Sequence, residues 1–291
     1  MKTLTVFTPT YNRAFCLGQL YESLCRQTSR DFLWLIIDDG STDNTSELVA
    51  RWQREGQVEI RYHQKPNGGM HTGHNAAYKL IDTPLNTCID SDDFMPDDAV
   101  DAIVTAWDPA NPRRLAGIIG LDAYKDGKLV GTKIPENITR AKLNDLYFKH
   151  GVTGDKKVVL VTDVVKKYPP YPEYPNEKLV PLGTLYKLID KDWDFLCLNK
   201  VLCVVEYLPD GSSRNIFKQY RKSPNGFFYS RLVELAHAPN TKYAFTRAMH
   251  LVSSAVFAGR NPFKGNPRKL LTLLALPAGL VLHAYIWIKS K

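Results

Sequence analysis

No C-x-x-C pair occurs in this chain, and its five cysteines, Cys16, Cys25, Cys88, Cys197 and Cys203, are odd in number. That argues against a disulfide framework and fits buried thiols in a reducing compartment. Nor does a long apolar run open the sequence: Met1-Lys2-Thr3-Leu4-Thr5-Val6-Phe7 enters a strand directly, too short for a secretory leader. The globular part is therefore expected in the cytosol, and the sequon matches Asn44-Thr45-Ser46 and Asn137-Ile138-Thr139 are read as chance. Glycine is missing from Thr8-Pro9-Thr10-Tyr11-Asn12, the loop after the first strand, which excludes a G-x-G-x-x-G dinucleotide fingerprint. Acid is nearly missing from residues 226–291, where Glu234 stands alone against nine Lys and Arg.

The whole chain has 38 Lys and Arg and 30 Asp and Glu, so residues 1–225 hold 29 of each and the +8 belongs to the tail. At 291 residues with 44% hydrophobic and 23% charged side chains, it has room for one large globular catalytic domain besides that tail. A basic tail suits nucleic acid or an anionic membrane face, and its neighbours decide between them. Residues 270–288 are uncharged, flanked by Arg268-Lys269 and Lys289-Lys291, and end in Tyr285 and Trp287. Nineteen such residues barely span a bilayer, and Pro277, Gly279 and His283 interrupt them. We read basic amphipathic helices that lie in the cytoplasmic leaflet, a full span or a buried core helix being the alternatives, and expect no nucleic-acid partner.

The first 110 residues alternate strand and helix. Leu4–Phe7 is a strand, and a helix from Ala14 to Arg26 spaces Phe15, Leu17, Leu20, Tyr21, Leu24 and Cys25 at its period. Phe32–Ile37 is apolar throughout, as in a strand covered on both faces, with Asn44 and Glu47 as the cap of the next helix. Glu59–His63 is a third strand, a helix runs on from Asn67–Asn75 through Leu80, and Thr87-Cys88-Ile89 closes a fourth. Farther on, Leu115–Leu121 predicts a strand, Tyr124–Val130 a hairpin with an Asp-Gly turn, Leu182–Ile189 a helix and Cys203–Tyr207 a late strand. The rhythm predicts an α/β fold, a Rossmann-like, mostly parallel sheet with helices on both faces. The expected domains are 1–225, split into halves 1–110 and 111–225, and the tail 226–291.

Every one of these strands ends in a polar loop, and an open α/β sheet gathers such ends along one edge. The fourth loop, Asp90-Ser91-Asp92-Asp93, crowds three carboxylates where a divalent cation and a diphosphate would bind; an acidic helix cap is the plain alternative. Tyr11 can cover a flat base, Asp39 can accept from its edge, and Gly68, Gly69 and Gly73 allow backbone close to a ligand.

Thr8–Arg13, Ile37–Asp43, Asn67-Gly68-Gly69 with Gly73 and Asn75, and Asp90–Asp93 together resemble the family 2 inverting glycosyltransferases of the GT-A fold, over about residues 1–220. The resemblance implies a nucleotide-sugar donor, usually a UDP-sugar, and transfer of a hexosyl or N-acetylhexosaminyl group. It carries nucleotide contacts to Thr8, Tyr11, Asn12, Arg13, Asp39, Gly68, Gly69, Asn75, Asp90 and Ser91, and Mn²⁺ or Mg²⁺ to Asp90 and Asp92, with Asp93 open. It also implies a carboxylate base before a helix: Glu177 in Asn176-Glu177-Lys178 holds that position, where Lys178 replaces the usual aspartate. A first-turn helix charge is the other reading of Glu177, and Asp155 and Asp163 stand in reserve. Arg214 is a phosphate contact in the Asp210-Gly211 segment, or an ordinary surface arginine. The expected acceptor is a glycan or lipid-linked glycan for a bacterial surface polysaccharide, at the inner face of the cell membrane. A nucleotidyltransferase of similar fold is the nearest rival, though it would show a glycine-rich basic loop after the first strand; a membrane-attached scaffold is the nonenzymatic one.

Overall fold

The computed structural model describes residues 2–108, 115–206 and 216–290. Arg214 lies outside the described residues. Contacts divide the chain into two compact units, Met1–Pro169 with Asp192–Tyr207, and Pro170–Lys191 with Leu208–Lys291. The segment 170–191, expected within the catalytic domain, therefore groups with the C-terminal helices.

The first unit is built on β1 (Leu4–Thr10), β2 (Phe32–Asp38), β3 (Ile60–Gln64), β4 (Leu85–Cys88), β5 (Leu115–Tyr124), β6 (Arg140–Ala141), β7 (Lys156–Val161) and β8 (Asp194–Val205). They form one sheet in the order β3-β2-β1-β4-β7-β5-β8-β6. The first four are parallel, in register from Leu4 opposite Phe32 and Leu85, as the βα rhythm requires. Beyond β4 the sheet is mixed: β7 runs antiparallel to β4 and β5, and β6 antiparallel to β8. The sequence reading had no strand at β7, because its polar start, Lys156-Lys157, hides a short apolar run.

Alternation along buried strands supplies two cores, one on each face. Leu4, Val6, Phe32, Trp34 and Ile36 face α1 (Ala14–Cys25), α2 (Thr45–Glu55) and α4 (Ala99–Ala106). Phe7, Leu33, Leu35 and Ile37 face α3 (Met70–Leu80) on the other side. Asn44 is the N-cap of α2, as expected, but makes no side-chain cap bond; Asp43 Oδ1 accepts from the Thr45 backbone at 3.1 Å. The Asp-Gly turn after β5 is present, with Gly127 at φ +82°. Short helices α5 (Leu143–Phe148) and α6 (Thr162–Val165) complete this unit.

The second unit is helical: α7 (Gly183–Asp192), α8 (Ile216–Lys222), α9 (Pro224–Ala236), α10 (Thr241–Ala258) and α11 (Lys269–Lys289). Phe228, Leu235, Ala244, Ala248, Leu251, Ala255 and Ala275 form its core. At Gly279 a Cβ would lie 2.6 Å from that of Val252, so glycine is what lets α10 and α11 cross closely. Helix α11 continues through Pro277. It is apolar rather than amphipathic, since Leu270, Leu273, Leu274, Val281 and Ile288 are exposed on the face opposite its packing residues Ala275 and Gly279. It is long and apolar enough to cross a membrane.

Candidate active site

The loops that follow β1, β2 and β4 and the start of α3 meet at the C-terminal edge of the parallel strands. They are tied to one another by polar side chains. Asn12, in the left-handed region at φ +51°, accepts through Oδ1 from the Thr42 backbone at 2.7 Å, and its own N–H donates to Ser41 Oγ at 2.9 Å. Asparagine tolerates that backbone and bonds locally, so Asn12 clamps the first loop to the second. Thr8, expected against the nucleoside, is instead interior, its hydroxyl accepting the indole N–H of Trp34 at 3.0 Å. Alternation brings Thr10 to the strand's end, where its buried Oγ1 has no hydrogen-bond partner among the described residues. Tyr11 is about half exposed, as a covering ring should be.

Asp39 is the anchor of the glycine loop. Its Oδ1 accepts from Lys65 Nζ at 2.6 Å and Gly68 N at 2.9 Å; its Oδ2 accepts from Gly69 N at 2.7 Å and Asn67 Nδ2 at 3.2 Å. Those four bonds fill the acceptor positions of a carboxylate, so a base edge reaches Asp39 only by displacing a donor. Gly40 makes the approach possible: at φ +85°, a Cβ there would sit 3.1 Å from the Asn67 nitrogen. Gly73 serves packing rather than ligand approach, since its Cβ would meet Pro9 at 3.2 Å. Asn75 is half-buried on α3.

The acidic tetrad separates by role. Asp92 pairs with Arg13 at 3.0 Å, and its carbonyl accepts from Gln19. Burial, then the charge of Asp90, raises its carboxyl above the usual range against the pull of Arg13. Asp90 sits half-buried beside the Cys88 thiol, 3.6 Å away, and Ser91 is buried between the two carboxylates. Asp93 turns inward: it accepts from the Glu206 backbone at 3.0 Å and from the Cys203 thiol, and burial pushes it up to about 7. Among the described residues no three His, Cys, Asp or Glu side chains form a ready cage for a cation. Asp90 and Asp92 nevertheless fit one, because Mg²⁺ is commonly held by one or two carboxylates plus substrate phosphates, and these acids lie close enough to repel each other.

Residues 5–154 match the profile of Glycosyl transferase family 2. The chain belongs to that family. The chondroitin synthase of Pasteurella multocida (strain Pm70) is 29% identical over 149 residues, covering 50% of this chain and 15% of that enzyme. An uncharacterized glycosyltransferase of Rickettsia felis (strain ATCC VR-1525 / URRWXCal2) is 36% identical over 98 residues, covering 34% and 16%. The chain thus spans 15% to 16% of the length of these relatives. Among solved structures, S. aureus TarS 1-349 in complex with UDP-GlcNAc superposes at a TM-score of 0.62 with 18% identity, over 96% of this chain and 81% of that one. A mannosyltransferase from Pyrobaculum calidifontis in complex with GDP-Man and Mn²⁺ gives 0.53, also at 18% identity, over 99% and 82%. At such identities the likeness establishes the fold, which is of the GT-A type.

In this family 2 chain, sequence reasoning missed Lys157, partly buried on β7, which donates to the Cys88 carbonyl at 3.3 Å. Burial works against its charge, and the surrounding acids Asp122, Asp93 and Asp90 hold the ammonium protonated. Its signal was a lysine pair opening an apolar run, which reads equally as a surface turn. Glu177 belongs to the second unit, where it caps α9 from a distance: Oε1 accepts from Asn225 N at 3.0 Å and Asn225 Nδ2 at 2.6 Å, Oε2 from Gly226 N at 2.9 Å. Among the described residues three donors reach it, which leaves one of a carboxylate's four acceptor positions open. The reserve candidates Asp155 and Asp163 lie just before β7 and in the first turn of α6.

Proposed function

We propose that this family 2 glycosyltransferase moves a hexosyl or N-acetylhexosaminyl group from a UDP-sugar to an acceptor hydroxyl with inversion at the anomeric carbon. The observation that carries the reading is the edge itself: a half-exposed tyrosine, a carboxylate-anchored glycine loop and the pair Asp90 and Asp92, all on linked loops of one sheet. Tyr11 covers the base, Asp39 exchanges Lys65 or Asn67 for the base edge, and Asp90 and Ser91 face the ribose. Asp90 and Asp92 hold Mn²⁺ or Mg²⁺, with Asp93 behind them as framework, and Arg13 is freed from Asp92 to meet a phosphate. The ion, when bound, supplies Lewis-acid neutralisation of the departing diphosphate. Glu177 takes the acceptor's proton through its open lone pair. The TarS complex holds UDP-GlcNAc and the mannosyltransferase complex holds Mn²⁺, which supports this choice of donor and cofactor.

The exposed apolar face of α11, between Arg268-Lys269 and Lys289, supports attachment to an anionic membrane surface, with a lipid-linked glycan as acceptor at the cytoplasmic side. Titration calorimetry of UDP and GDP with and without Mn²⁺ tests the donor site. Binding of UDP that needs Mn²⁺ and fails in Asp92→Asn is the expected result; binding of neither nucleotide overturns it.

A further inference from the structure

Behind the acidic tetrad lies a polar thread that no catalytic step uses. Tyr78 and His74 occupy successive turns of α3, and the Tyr78 hydroxyl lies 3.3 Å from His74 Nδ1. His74 Nε2 lies 3.6 Å from the Cys88 sulfur at the end of β4, and that sulfur lies 3.6 Å from Asp90 Oδ1. Phe7 closes the thread from one side, edge-on to both rings, at 5.0 Å from His74 and 5.5 Å from Tyr78. Lys157 fixes the backbone of Cys88 from β7. His74 is buried, which keeps its imidazole neutral, and Cys88 is partly buried beside it.

Among the contacts of the described residues, one direction of donation satisfies all three. An ionised Asp90 accepts and never donates, so the thiol hydrogen goes to Oδ1. The sulfur then receives the proton of His74 Nε2, and Nδ1, left without one, receives the Tyr78 hydroxyl hydrogen. We infer that Tyr78, His74 and Cys88 form a positioning relay whose donors all point at Asp90, fixing its Oδ1 and leaving Oδ2 as the oxygen offered to the nucleotide and its cation. The inference rests on the reading of Asp90 as part of the donor site and adds what orients it. Orientation matters there because a bound diphosphate tolerates little misplacement of its partners.

Two measurements on the full chain test it. Side-chain ¹⁵N NMR of His74 is expected to show a neutral ring protonated at Nε2; a proton on Nδ1 overturns the relay whether or not any nucleotide binds. Calorimetry of UDP in the presence of Mn²⁺ is then compared across variants of matched melting temperature. Loss of one such hydrogen bond predicts roughly tenfold weaker UDP binding in Cys88→Ala. Cys88→Ser, which keeps a donor, is expected to restore most of it, and His74→Leu to weaken it as Cys88→Ala does. Equal binding by Cys88→Ala and the parent overturns the inference, as does equal weakening by alanine and serine, which marks a packing effect. If the parent protein itself ignores UDP, the donor-site reading fails while the tautomer still reports on the relay.

Discussion

Two buried carboxylates, one in each unit, are shifted in opposite directions. Asp93 and Glu234 are 7% and 8% exposed, yet Asp93 is pushed up to about 7 while Glu234 is held below its usual range. Burial raises both. At Glu234 it is outweighed, because Arg231 pairs with it at 2.5 Å and Arg247 approaches to 3.7 Å. At Asp93 the nearby cation Lys157 is shared with Asp90 and Asp122, and Asp90 and Asp92 add repulsion. The helical unit completes its charges internally, as a structural element does. The sheet unit leaves an excess of acid at its edge, which is what a site awaiting a cation and an anionic ligand requires.

The largest expected effect comes from removing acid at that edge. Asp92→Asn is expected to lower turnover by about 10²–10³-fold, the order seen when a group stabilising developing charge is lost. Folding should survive, since Asp92 meets Arg13 in a partly exposed pair; equal activity of Asp92→Asn and the parent, in a sugar-transfer assay with Mn²⁺, would remove the acids from the mechanism. The reverse is expected in the helical unit. Arg231→Met removes the shorter of Glu234's two arginine contacts and should cost up to about 3–5 kcal/mol by urea unfolding, the range for breaking a buried pair.

Acidity sharpens the same contrast. Between 3.8 and about 7 the folded chain holds a proton on Asp93 that the unfolded chain releases, so its contribution to stability falls as pH rises through that window. Glu234 works oppositely: its contribution is present above the unfolded value of 4.5 and fades as pH falls through its lowered folded value. Melting curves of Asp93→Asn and Glu234→Gln should therefore flatten opposite limbs of the stability profile. If both variants flatten the acid limb, the contrast between the units is wrong.

Much of the sheet edge was legible because strand period, loop polarity and short spacing are local properties of sequence. Phe32–Ile37 declared itself by an unbroken apolar run, and the acids at 90, 92 and 93 by their crowding. What escaped depends on partners distant in sequence. Thr8 looks like a loop ligand until Trp34, 26 residues on, takes its hydroxyl. Asp39 looks free until Lys65 and the amides of Gly68 and Gly69 fill it. The three aspartates of the tetrad look alike, and only β8, through Cys203 and the Glu206 backbone just past its end, turns Asp93 inward. Lys157 and the Tyr78–His74–Cys88 thread likewise exist only once β7 and α3 are docked beside β4.

Glu177 tests the comparison from the other side, since it is asked both to hold a helix and to serve as base. Glu177→Ala leaves the amides of Asn225 and Gly226 at the start of α9 without their acceptor, which predicts a loss of about 1–3 kcal/mol. If holding α9 is its whole task, catalysis per folded molecule should be unchanged at saturating acceptor. If it is also the base, kcat drops at least about 10²-fold while UDP binding persists.

The smallest effect on stability is expected on the exposed face of α11. Val281 is largely uncovered, so Val281→Glu should change unfolding free energy by no more than about 0.5 kcal/mol, as surface substitutions usually do. Its effect on lipid should be large, because a charge then replaces an apolar group meant for the acyl boundary. Flotation with vesicles of phosphatidylglycerol and phosphatidylethanolamine separates the two effects. Recovery of the parent with vesicles, lost in Val281→Glu and reduced by salt, fits an apolar stripe set between Arg268-Lys269 and Lys289. Equal flotation of both proteins would mean that α11 does not enter the bilayer surface, and its uncovered leucines would need another partner.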